Sequence, residues 1–178
     1  MPQKFLNQGE QTQITQSTRD IAVQFKSGGL DLILEILTWL HKNIKEDGSP
    51  EIKNRLFRKR TAGKIIESKM ATGCTDYALA FIVLARAKDV PTKYIEAIRN
   101  KWLDIGDENF IEGHVFAECF IQGKWHIVDP QEGEIKISYQ RFQIFKEGLD
   151  SWDIGIKSFD DLKEKFMEFK NTYAKNHP

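Results

Sequence analysis

Apolar residues at Leu30, Ile33, Leu34, Leu37, Leu40 and Ile44 recur at intervals of three and four, and the polar run from Glu46 to Pro50 closes the segment. That spacing lines one side of a helix packed on a core. From 51 to 70 the pattern is mixed and contains Gly63, so a helical stretch there has no sharp limits. After Thr72 and Gly73, residues 74–88 (CTDYALAFIVLARAK) combine strong helix formers with apolar side chains on nearly every side, and Pro91 blocks continuation. A helix without a solvent face belongs at the centre of a domain.

Beyond Pro91 the character changes. Thr92 to Ile98 is β-branched and aromatic, and 114–121 and 124–129 alternate on either side of Gln122-Gly123, which predicts a β-hairpin. Near the C-terminus, Ser158 and Asp161 stand at capping-box spacing, followed by Leu162, Phe166, Phe169 and Tyr173 on one helical face. Helices followed by an antiparallel sheet point to an α+β architecture closed by a C-terminal helix. Residues 1–19, rich in Gln, Thr and Ser, offer little apolar area and are expected to be a polar arm, either loose or added late to an edge. Residues 20–178 then form a single domain, as expected for a chain of 178 residues.

The 26 basic and 26 acidic residues cancel, which removes the one-signed field that would steer nucleic acid or an anionic membrane to the chain. The local cluster Arg55, Arg58, Lys59 and Arg60 is expected to be a solvated helix face or turn. No apolar stretch near the N-terminus resembles a signal segment, and the longest apolar run, Ala78 to Ala85, is too short to span a bilayer. These features fit a cytoplasmic protein. In a reducing compartment two cysteines make no disulfide framework, so Cys74 and Cys119 need separate explanations.

A thiol attacks as thiolate, and a free cysteine with a pKa of about 8.5 is mostly protonated at neutral pH. The start of a helix corrects this, because its unpaired N–H groups and positive dipole end stabilise negative charge. Cys74 stands at such a start, with Gly73 allowing a tight turn and a close approach of substrate. Position alone favours a small buried hydrophobe, which is how most free cysteines behave.

The downstream residues change the balance. If Gln122-Gly123 is the turn, Ile121 faces Lys124 and Phe116 faces Asp129, so His114 and Asp129 are diagonal neighbours on one sheet face. Diagonal pairs have Cα atoms roughly 7–8 Å apart, a separation that polar side chains bridge. The carboxylate could then orient the imidazole as base for the Cys74 thiol. Parity puts His126 on the face opposite Asp129, and Cys119 on the face opposite His114, where it reads as core. Cys74, Cys119, His114 and His126 show no paired-ligand spacing, so no metal and no cofactor is expected.

Three blocks carry a resemblance to the transglutaminase-like superfamily, whose members share a papain-like cysteine site: TGCTDYALAFIVLARAKDVPTKYIEAI (72–98), GHVFAECFIQGKWHIVDP (113–130) and, more weakly, LEILTWLHKNIK (34–45). The resemblance implies a central nucleophile-bearing helix on an antiparallel sheet, with Cys74 as nucleophile, His114 as base and Asp129 as orienting acid. Gly73-Cys74-Thr75 stands where the cross-linking members carry Gln-Cys-Trp, which points away from cross-linking and a calcium requirement. The expected activity is acyl transfer through a thioester, most simply hydrolysis of a peptide, protein or small amide, with the Cys74 backbone N–H as an oxyanion donor. Protein-glutamine acyl transfer and an inactive binding or scaffold domain are the alternatives. Trp102, Glu112 and Trp152 are candidates to line the substrate cleft, with packing or surface roles as the competing reading.

Overall fold

The buried helix expected after Gly73 runs from Cys74 to Arg86, and the rest of the chain is arranged around it in the computed structural model, which describes residues 1–176. In chain order the elements are a 3-10 turn (Pro2–Leu6), α1 (Gln16–Ala22), α2 (Gly29–Asn43), β1 (Lys45–Glu46), α3 (Pro50–Leu56), α4 (Ala62–Ser68), β2 (Met70–Ala71), α5 (Cys74–Arg86), β3 (Thr92–Arg99), α6 (Asn100–Ile105), β4 (Gly113–Ile121), β5 (Lys124–Asp129), β6 (Glu134–Lys136), β7 (Phe142–Gly148) and α7 (Phe159–Asn176). The architecture is α+β. Strands β6-β5-β4-β3-β7 form one sheet, antiparallel throughout, and β1 and β2 make a short parallel pair.

Every residue of α5 after Cys74 is buried. Helices α1, α2 and α4 pack against it from one side, and the sheet face carrying Val115, Ala117 and Cys119 from the other. Leu79, Phe81, Ile82 and Leu84 are fully buried. At about 2 kcal/mol each, they outweigh the cost of enclosing the paired polar residues Asp76 and Arg86 in the same helix. The opposite sheet face holds a smaller apolar cluster of Ile95, Ala97 and Phe116, packed by Tyr139 and Phe142.

Two expectations are corrected. Residues 1–19 are neither loose nor an edge addition: Gln11 and Thr12 are fully buried, and α1 crosses the expected boundary at residue 19. The Gln11 N–H donates to Asp150 Oδ2 (2.9 Å), and its side-chain amide donates to the carbonyls of Arg58 and Arg60. Polar composition misled because these groups find their partners inside the protein rather than in water. The mixed stretch 51–70 is two short helices, α3 and α4, separated by Arg58 in the left-handed conformation (φ 56°). Among the described residues no helix is long and apolar enough to cross a membrane.

Candidate active site

Cys74 is the first residue of α5 and is half-buried. The turn before it depends on Gly73, whose φ of 146° and ψ of −161° suit glycine alone. No heavy atom lies within 4 Å of where a Gly73 Cβ would stand, so conformation rather than crowding imposes glycine here. A single carboxylate oxygen holds the turn: Asp76 Oδ2 accepts from the Thr72 N–H (2.8 Å), the Thr72 hydroxyl (2.8 Å) and Arg60 Nη2 (2.5 Å). As first residue of the helix, Cys74 has a backbone N–H without an intrahelical acceptor, free for a ligand oxygen.

The other two residues come from one hairpin. Gln122 (φ 51°) and Gly123 (φ 83°) form a two-residue turn with both φ positive, and Ile121 pairs with Lys124, the register expected from the alternation. His114 Nε2 lies 2.9 Å from Asp129 Oδ2. A carboxylate only accepts, so Nε2 carries the hydrogen and Nδ1 is the ring nitrogen left over, with Cys74 near enough to favour the charged ring. The carboxylate is itself fixed, since Oδ1 accepts from the Glu132 N–H (3.1 Å) and the Asp129 carbonyl from the Gly133 N–H (2.9 Å). His41 secures that turn from α2, donating through Nε2 to the Pro130 carbonyl (2.9 Å) and stacking on Tyr77.

The imidazole is electrostatically primed. Burial pulls its pKa down, but hydrogen bonds to Asp129 and Cys74 and the negative charge of both outweigh this and push it from 6.5 up to about 10. Because the folded value is the higher one, the protonated ring adds stability in full below pH 6.5, and this is lost as pH rises to about 10. Urea unfolding across that window is therefore expected to show falling stability, with the slope flattened in Asp129→Asn. An unchanged slope in that variant would mean the carboxylate does not hold the proton.

A cleft of about 410 Å³ opens at Cys74, lined also by Phe57, Arg58, Glu96, Ile111 and Phe159. Here the sequence reading of the basic cluster needs correction: Arg58 (3% exposed) and Arg60 (8% exposed) are buried ion-pair partners, not solvated. Arg58 grips Glu96 with two hydrogen bonds (2.7 and 2.8 Å) and donates to Tyr94 and Ser151, while its carbonyl accepts from Gln11 and Trp152. Burial disfavours its charge, yet Glu96 more than compensates and holds the guanidinium charged beneath the cleft. Arg58 and Arg60 have no carboxylate three or four residues away, which hints at distant partners, but nothing in the sequence says which.

The profile of the transglutaminase-like superfamily matches residues 17–130, more than half of the chain. The chain belongs to the transglutaminase-like superfamily. Among solved structures, a candidate cysteine protease of Cytophaga hutchinsonii superposes with a TM-score of 0.67 at 20% identity. The match covers 86% of this chain and 48% of that protein, so the chain spans about half the length of the relative and shares its fold. Among curated proteins none matches significantly.

Within this transglutaminase-like fold, Cys74, His114 and Asp129 converge, whereas the other sequence candidates lie apart from the cleft. Trp102 is 1% exposed, packed on Phe166, with Nε1 donating to the Asp107 carbonyl (3.1 Å). Trp152 is spent behind the cleft on the Arg58 carbonyl (2.7 Å), and Glu112 pairs with Arg99 (2.9 Å). In each case an indole or carboxylate found a protein partner, which local sequence does not reveal. His126 pairs across from Cys119 on the sheet face opposite Asp129, and Cys119 is fully buried.

Proposed function

We propose that the chain is a cysteine-dependent acyl-transfer enzyme acting on a peptide, protein or amide carbonyl, with Cys74 as nucleophile, His114 as acid and base, and Asp129 as the group that orients the ring. The observation that carries this reading is the imidazole Nε2 on Asp129 Oδ2 at 2.9 Å, with Cys74 at the start of the buried helix near enough to favour the charged ring. A protonated ring beside a thiol favours the thiolate. The thiolate attacks the carbonyl carbon, and the electron pair moves to oxygen, where the Cys74 N–H supports the developing charge. Collapse breaks the carbon–nitrogen bond, and the departing amine takes the proton from Nδ1. The neutral ring then takes a proton from water, whose oxygen attacks the thioester and expels the thiolate. An amine in place of water would complete transfer instead of hydrolysis. Family membership fits a protein or peptide substrate.

Alkylation of the native protein tests the first step. Cys119 is buried, and its thiol is pushed up to about 12 chiefly by burial. Iodoacetamide at about pH 6 is expected to modify Cys74 alone, at least about tenfold faster than a free thiol. Mapping by mass spectrometry reads the site. Sluggish reaction at both cysteines would remove the activated nucleophile and leave an inert domain of the same fold.

A further inference from the structure

The cleft at Cys74 has two walls of different character. Phe57 and Phe159 touch edge to face with ring centroids 6.1 Å apart, and Ile111 and Leu162 continue this apolar surface. Phe159 is left 49% exposed, an unusual position for a large aromatic ring that already has a partner. Its volume of about 410 Å³ falls within the ~300–1,000 Å³ typical of ligand sites.

Beside this apolar surface stand two exposed ammonium groups, Lys53 and Lys59. Neither forms an ion pair among the described residues, and the remaining cation of that wall, Arg58, is already matched by Glu96. Asp160, which also lines the cleft, lies in the first turn of α7 near the positive end of the helix dipole and is not ion-paired with either lysine. Lys53 and Phe57 are one helical turn apart, joined by the hydrogen bond from the Phe57 N–H to the Lys53 carbonyl (2.8 Å). Their side chains therefore emerge side by side, roughly 5–6 Å apart at Cβ. In an extended peptide that separation corresponds to residues one or two positions apart.

We propose that this cleft selects extended peptide segments in which a large apolar side chain, laid against the Phe57–Phe159 pair, lies within two positions of an acidic residue facing Lys53 and Lys59. The assignment deepens the reading of Cys74 as nucleophile and rests on it for the location of the reacting carbonyl.

Binding to the full chain carrying Cys74→Ala tests it without any chemistry. Fluorescein-labelled Gly-Phe-Glu-Glu-Gly is expected to bind about tenfold more tightly by anisotropy than Gly-Phe-Lys-Lys-Gly or Gly-Ser-Glu-Glu-Gly. The charge preference should fade with added salt and reverse in Lys53→Glu/Lys59→Glu, while Phe159→Ser should erase the preference for phenylalanine. These three side chains are solvent-exposed, and thermal unfolding verifies that the variants fold. Equal affinity for the three peptides, no binding by any, or an acidic preference untouched by charge reversal would overturn the proposal. Since this variant has no thiol, failure of the acyl-transfer reading leaves the binding result intact. Wild-type turnover indifferent to peptide charge would sink the cleft assignment alone.

Discussion

Cys74→Ala and His114→Ala are each expected to lower turnover of whichever peptide or amide the wild type cleaves by about 10⁴-fold or more, and the double variant by scarcely more than either alone. The reason is that the two groups act as one unit. Without the thiol, the imidazole has no nucleophile to serve; without the imidazole, the thiol has neither a cation to hold it as thiolate nor an acid for the leaving amine. Asp129→Asn is a finer probe. Its side chain keeps the shape but can present an NH₂ to Nε2, which then must accept, and the hydrogen moves to Nδ1, facing the sulfur. A loss of about 10²–10⁴-fold from this wrong tautomer is expected, with thermal stability close to wild type apart from the proton-linked contribution. Steady-state kinetics beside melting curves separate chemistry from folding. Undiminished turnover in Cys74→Ala would end the assignment.

The second large effect is on stability. Arg58→Ala should cost about 3–5 kcal/mol, because Glu96, 1% exposed, would be left as a buried charge with only the Tyr94 hydroxyl for company. For a chain of this size, that is a fall in Tm of roughly 6–20 °C. The Arg58 carbonyl would still accept from Gln11 and Trp152, so the backbone there keeps its anchors. Arg58→Met/Glu96→Leu should recover most of the loss, since removing both charges removes both desolvation costs. Thermal and urea melts of the two variants decide the matter. A single substitution costing less than about 1 kcal/mol would mean the pair is hydrated in solution and contributes like a surface bridge.

How legible the molecule was depended on where each signal lay. Helix α5 announced itself in thirteen consecutive residues, and the β4–β5 hairpin in strict alternation about Gln122-Gly123. That alternation was enough to bring His114 diagonally beside Asp129 before any coordinates, because a two-residue turn and a period of two leave one register. By contrast β7 pairs at the sheet edge with a register shift near Glu96, and all its residues but Gly148 are exposed or half-buried, so its sequence carries little pattern to read. Helix α3 has no buried residue, and so no apolar stripe to mark it.

Sequence by itself therefore determined the elements whose free energy is local: the buried helix, the hairpin register, the capped C-terminal helix, and with them the thiol, the imidazole and the carboxylate as a candidate set. Tertiary structure alone decided which polar groups leave water. Arg58 meets Glu96 from 38 residues away, Gln11 meets Asp150 from 139, and Trp102 and Trp152 are drawn from the cleft by carbonyl partners. Such choices belong to no segment, because the cost of burying a charge or amide is met only by a partner that packing delivers from elsewhere in the chain.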